Sequence, residues 1–212
     1  MAQIQRIPCG HVNCYLVTEK ENSILIDTAQ SKYKEKLYQI CKEKQVRLIV
    51  LTHGHIDHTE NAAYLSHRLQ VPIAMHPDDT NLLEMPRAQT LRPRGMMGNI
   101  LLKMSNRNQS IPVTPFTPTV LLRDNDTLKE FGINATIIHL PGHTNGSIGI
   151  DIDSTDFIVG DTLMNFVYPC PSLLYTDKQA LRQSCNKIDS LGNRTIYFGH
   201  GRPTKNRTWT VT

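Results

Sequence analysis

A chain of 212 residues, 39% hydrophobic and 20% charged, is long enough to bury one core and too apolar for a disordered segment. A formal net charge of +4 falls short of a nucleic-acid-binding surface, and no apolar run is long enough to span a membrane. Five scattered cysteines without a C-x-x-C pair speak against a disulfide-stapled secreted domain, and Met1–Arg6 lacks a signal peptide's apolar region, so a cytoplasmic address is expected.

The first third alternates strands with helices. Residues 12–17 and 23–27 read as strands joined by the polar turn 19–22. Residues 33–44 form an amphipathic helix with Leu37, Ile40 and Cys41 on one face, and 46–51 is a buried strand. A second helix over 58–69 turns Ala62, Leu65 and Leu69 inward, and 71–75 is the next strand. Residues 78–117 break this rhythm with prolines at 86, 93, 112 and 115. From Asn81 to Thr117, Arg87, Arg92, Arg94, Lys103 and Arg107 outnumber the single acidic Glu84, so the segment reads as a partly helical, basic flap over a site. Strands resume over 120–122, 127–131, 135–140, 146–152 and 156–159. A helix over 177–191 and a strand over 195–198 complete the chain, which reads as one layered α/β (α+β) domain over 1–212 with 78–117 inserted.

The chemistry concentrates where strands end. Thr52-His53-Gly54-His55-Ile56-Asp57-His58 brings three imidazoles and a carboxylate together directly after the apolar run 48–51. His53 and His55, two apart in an extended segment, can point to one side, while Asp57 and His58 in the first turn of a helix aim at a second point. Neutral imidazole nitrogen and carboxylate oxygen are ligands that zinc, iron and manganese accept. One tetrahedral ion does not need four groups from one loop, whereas a pair of ions does.

Three further strand ends carry His143 (Pro141-Gly142-His143-Thr144), Asp161 (Val159-Gly160-Asp161) and His200 (Phe198-Gly199-His200-Gly201), each beside a glycine that lets backbone approach a crowded centre. His139, four before His143, is a candidate support for that loop; His11, His67 and His76 read as ordinary solvated or hydrogen-bonded histidines. Tyr168 and Tyr175 can reach the site from beyond Asp161, although packing is their simpler role, and Cys170 between two prolines reads as packed.

These motifs resemble the metallo-β-lactamase superfamily across nearly the whole chain. Asp27, in Ile24-Leu25-Ile26-Asp27-Thr28, corresponds to the family's buried aspartate behind the metal loop, and His53, His55, Asp57 and His58 match H-x-H-x-D-H. His143, Asp161 and His200 match the later ligand motifs in order. Within the superfamily the chain is similar to the small hydrolases related to glyoxalase II (hydroxyacylglutathione hydrolase). Two departures stand out: Ala29 replaces the glycine of D-T-G, and 163–170 lacks the glycine-rich run found after the bridging aspartate.

The resemblance implies a four-layer αβ/βα sandwich holding two divalent metal ions, zinc first, with iron or manganese as alternatives. His53, His55 and His143 would hold one ion, Asp57, His58 and His200 the other, and Asp161 would bridge both together with a water or hydroxide. It implies a hydrolase in which a metal-bridged hydroxide cleaves a small ester, thioester or lactone, with Asp57 passing a proton to the leaving group and Asp27 orienting a ligand histidine. The rival activities are a phosphodiesterase or nuclease on the same fold, and a mononuclear iron persulfide dioxygenase, which needs only two histidines and one aspartate. The partner expected is a small molecule, favoured as anionic by the basic segment, with neither a membrane nor nucleic acid involved; the oligomeric state is open.

Overall fold

The computed structural model describes residues 1–108 and 114–211, without the side chains of 105–108. Strands β1 (Gln3–Cys9), β2 (Val12–Glu19) and β3 (Asn22–Ile26) form an antiparallel meander. Helix α1 (Lys34–Glu43) then crosses to β4 (Val46–Val50), parallel to β3, and α2 (Ile56–Thr59) with α3 (Ala62–Leu69) crosses to β5 (Ile73–Met75), parallel to β4. After α4 (Thr80–Glu84), β6 (Arg92–Pro93) and α5 (Gly95–Asn108), β7 (Val120–Leu121) joins β5. The result is a six-stranded sheet in the order β1-β2-β3-β4-β5-β7.

A second sheet begins with β8 (Ala135–His139), β9 (Ile148–Ile152) and β10 (Asp156–Ile158). The short strands β11 (Leu163–Met164), β12 (Cys170–Pro171) and β13 (Leu174–Tyr175) precede α6 (Lys178–Ser190), and β14 (Thr195–Tyr197) and β15 (Thr204–Lys205) close the sheet. Its order is β15-β14-β10-β9-β8. β13 pairs with β6, tying the 78–117 segment to the chain beyond Asp161.

Alternation along the strands builds four layers. In β3, Ile24 and Ile26 face the second sheet while Leu25 faces α1 and α3; in β4, Leu48 and Val50 face one way and Ile49 the other. Between the sheets Tyr15, Val17, Ile24, Ile26, Ile137, Ile148 and Ile150 form one core. Leu37, Cys41, Ala62 and Leu65 cover the outer face of the first sheet, and Leu181, Cys185 and Ile188 of α6 cover that of the second. This is the αβ/βα sandwich that the resemblance implies. All five cysteines are buried and unpaired. Among the described residues no helix is long and apolar enough to cross a membrane.

Three local expectations needed correction. The helix over 58–69 is two helices, interrupted at Asn61, whose side-chain amide donates to the carbonyls of Thr28, Ala29 and Gln30 (2.7, 3.2 and 2.8 Å). Asn61 thereby anchors the loop after β3. Residues 127–131 are not a strand: only Thr127 makes a bridge, and Lys129–Phe131 is a 3₁₀ turn that ends at Gly132 in a left-handed conformation. Strand β1 went unread because its polar residues obscure the alternation, yet it pairs with β2 along its full length. Of the residues noted in the basic segment, Pro112 and the side chain of Arg107 lie outside what the structure describes.

Candidate metal centre

β3 and β4 are parallel, as are β8, β10 and β14 with one another, so the carboxyl ends of each group point one way. At that end the sheets are joined by Ile148 N–H donating to Thr52 O (2.9 Å) and Asn13 N–H donating to Gly199 O (2.8 Å). Asp27, His53, His143, Asp161 and His200 follow β3, β4, β8, β10 and β14 respectively, which brings segments far apart in sequence to one edge. Glycines permit the crowding. A side-chain carbon on Gly199 would strike the Asp161 carboxylate and the His58 ring, and Gly160, at φ +53, lies against Thr52.

The structure brings all seven residues singled out in the sequence together. His53, His55 and His143 form one group and Asp57, His58 and His200 another, the ligand atoms within each lying within 4.8 Å of one another. Asp161 stands between the groups: its Oδ1 is 3.5 Å from His58 Nε2, and its Oδ2 is 3.1 Å from His200 Nε2 and 3.8 Å from His143 Nε2. Asp57 Oδ2 is 3.7 Å from His200 Nε2. His53 Nε2, His58 Nε2 and Asp161 Oδ1 are buried without a hydrogen-bond partner. Leaving a buried polar group unpaired costs about 1–3 kcal/mol, so three at one point call for an occupant that bonds to all of them.

Behind these candidate ligands, outer hydrogen bonds set which ring nitrogen faces inward. His58 Nδ1 donates to Asp27 Oδ2 (2.8 Å), His53 Nδ1 to Thr52 Oγ1 (3.0 Å), His143 Nδ1 to Leu174 O (2.8 Å) and His200 Nδ1 to His11 O (2.6 Å). Each of these imidazoles thus presents Nε2 to the centre. Asp27 also accepts from Thr52 N–H (2.8 Å) and Thr52 Oγ1 (2.9 Å) and adopts a left-handed conformation, φ +58. Aspartate tolerates that conformation better than most residues, and the hydrogen bonds its carboxylate accepts hold it there.

The surroundings push the imidazoles of the two groups in opposite directions. Burial, with neighbouring imidazoles, holds His53 well below the ordinary histidine range and His143 down to about 4, so both are neutral. Burial opposes protonation of His58 too, but the carboxylates of Asp161, Asp27 and Asp57 outweigh it and raise it to about 10. Asp161 stays ionised well below the usual carboxylate range, because His200 and His58 overcome its burial.

Sequence reasoning missed Asp79, which it assigned to the flap. Asp79 is fully buried and accepts from Gly54 N–H (2.9 Å) and Thr144 Oγ1 (2.7 Å) on Oδ2, and from Gly146 N–H (2.7 Å) and Gln89 Nε2 (3.0 Å) on Oδ1. It therefore ties the His53–His55 loop to the His143 loop. Gln89 adds a bond from Asn145 N–H to its Oε1 (2.7 Å), and His139 Nε2 meets Asn145 O at 2.9 Å while its ring stacks on His76. His139 thus supports the His143 loop without facing the centre. The only cue in the sequence was a pair of carboxylates directly after a strand.

A cavity of about 490 Å³ opens from the ligands, with His55, Asp57, His143, Asp161 and His200 in its wall. Phe166 stacks on His200 with centroids 4.7 Å apart. Tyr168 also lines it, whereas Tyr175 packs against the α6 core. Cys170 is buried at its edge, and burial raises its thiol pKa, so it is no ready nucleophile.

Comparison with known proteins gives a consistent result. The sequence profile of the metallo-beta-lactamase superfamily matches residues 7–200. The hydroxyacylglutathione hydrolase GloC of Haemophilus influenzae is 31% identical over 156 residues, covering 71% of this chain and 66% of that protein. Among solved structures, BLEG-1, a B3 metallo-beta-lactamase, superposes with a TM-score of 0.75 at 24% identity, covering 96% of this chain and 94% of that one. The protein TTHA1623, solved in a di-iron-bound form, superposes with a TM-score of 0.70 at 26% identity, covering 95% and 94%.

Proposed function

Because the chain belongs to the metallo-beta-lactamase superfamily and is a metallo-hydrolase by that kinship, we propose that it cleaves a small ester, thioester or lactone with two divalent metal ions. The observation that carries this reading is the trio of buried, partnerless atoms, His53 Nε2, His58 Nε2 and Asp161 Oδ1, set among two groups of nitrogen and oxygen donors. Such a donor set fits zinc first, while the di-iron-bound relative makes iron the alternative.

His53, His55 and His143 would hold one ion, Asp57, His58 and His200 the other, and Asp161 both. When bound, the pair supplies hydroxide at neutral pH and polarises the substrate carbonyl. The chain's own contributions are orientation and proton transfer. Asp27, Leu174 O and His11 O fix three ligand rings through their Nδ1 hydrogens. Asp57 is the more exposed of the two ligand carboxylates, and its second oxygen would carry the proton to the leaving group. No serine or thiol nucleophile is required: Ser172 Oγ is hydrogen-bonded to His143 Nδ1 (3.0 Å), and Cys170 is a raised-pKa, buried thiol.

The test is elemental analysis for metal on the sample assayed with acyl thioesters, lactones and bis-(p-nitrophenyl) phosphate. Two equivalents of metal with thioester or lactone turnover support the reading. Turnover confined to the phosphodiester favours the nuclease alternative. One iron with oxygen uptake on a persulfide overturns the dinuclear hydrolase altogether.

A further inference from the structure

We infer that the acyl portion of the substrate is an uncharged alkyl chain of medium or greater length, lying in the cavity with its carbonyl at the ligand end. The inference rests on the hydrolase reading only for where the carbonyl sits. Helix α5 supplies Met97, Ile100, Leu101 and Met104 to the cavity, at positions i, i+3, i+4 and i+7, a single apolar stripe. Phe166 and Val167, from the loop between β11 and β12, supply another part of the lining.

These side chains are costly to leave in water. Met97, Ile100 and Met104 are 49%, 50% and 51% exposed and Val167 is 81% exposed, forming apolar lips around the opening of the site. A contiguous apolar patch rimming a cavity marks a binding surface rather than a folding need. Methionines there can adapt to a flexible chain. Phe166, stacked on His200, makes the apolar wall continuous with the ligand set, so an occupant of the groove reaches the reacting centre.

Charge separates this class from its competitors. Among the described residues lining the cavity there is no lysine and no arginine. Arg94, in the basic segment, is engaged elsewhere: its Nη2 donates to Pro171 O (2.6 Å) and its Nε to Ser172 O (3.2 Å). A charged tail lying along the α5 stripe would bury its charge there without a lysine or arginine beside it, a penalty a neutral alkyl chain does not incur. The anionic substrate suggested by the basic residues thus finds no lysine or arginine among the described residues of the lining.

Binding and turnover are measured separately. Straight-chain methyl ketones, neutral and non-hydrolysable, are titrated calorimetrically into metal-loaded protein from five to eleven carbons, and acyl thioesters from acetyl to decanoyl are assayed alongside. Ketone affinity and thioester kcat/KM are each expected to rise roughly two- to fourfold per methylene until the cavity fills. Ile100→Asp and, on a different element, Val167→Asp should flatten both slopes; Leu121→Asp, as exposed as Ile100 but outside the cavity, should not. A flat ketone slope with acetyl thioester turnover overturns the inference and leaves the hydrolase standing. A steep ketone slope with no turnover of any thioester, ester or lactone supports the apolar site and removes the hydrolase. Tighter binding of a succinyl than of a butanoyl compound also overturns the inference, as does a stable dimer whose interface covers Ile100 and Val167 in ligand-free protein.

Discussion

Asp79 and Asp27 show how single carboxylates hold the site from behind. Asp79 accepts four hydrogen bonds from groups 10 to 67 positions away in sequence. Replacing it by asparagine turns one acceptor oxygen into a donor that faces other donors. Asp79→Asn is expected to lower stability by about 3 kcal/mol, given ~1.5–3 kcal/mol for each hydrogen bond to a charge. It should also loosen metal held by His53, His55 and His143; urea unfolding and metal analysis read the two effects. Asp27 was legible as a motif residue, but the histidine it serves was not: the structure identifies His58. Asp27→Asn keeps a residue that tolerates φ +58 while offering an amide to His58 Nδ1. Metal affinity is expected to fall about 10- to 100-fold with the circular dichroism spectrum unchanged, and undiminished affinity in a chelator competition would remove the orienting role.

At the scale of elements, α6 was read almost to its ends because its boundary signals are local. Asp177 accepts from the N–H groups of Gln179 (2.7 Å) and Ala180 (2.9 Å), and Leu181, Cys185 and Ile188 follow at helical spacing. Asp177→Ala is expected to cost about 1 kcal/mol in denaturant unfolding with metal content unchanged. The helix over 58–69 resisted such reading. Its apolar spacing is continuous, and the break at Asn61 follows from three carbonyls belonging to the loop after β3. Residues 127–131 failed for a related reason, since β-prone Leu128 and Phe131 sit in a tight turn closed by Gly132. Where a decision depends on groups contributed by another element, local propensity has no access to it.

At the scale of the whole molecule, the proposed ligands come from segments between His53 and His200, on loops of both sheets. Ions binding there would couple the two halves of the sandwich, so their removal should register globally. Saturation at ~1,000 times Kd is worth about 4 kcal/mol. With roughly 2–4 °C per kcal/mol at this chain length, stripping metal with a chelator should lower the thermal midpoint by on the order of 10 °C. A midpoint that does not move would mean that the ions are not structural links between the sheets.

What the sequence determined by itself was the candidate donor set, the strand ends that carry it and the layered α/β order. These depend on spacing of a few residues and on the alternation of apolar side chains, both of which are properties of neighbours along the chain. The tertiary structure alone decided that Asp79 joins two ligand loops, that Asp27 serves His58, and that Arg94 turns to backbone carbonyls. It also decided that the α5 stripe and Phe166 wall the approach to the site. Each of these joins groups that only packing brings within hydrogen-bond or van der Waals reach. A segment that reads as basic in one dimension therefore presents an apolar face in three.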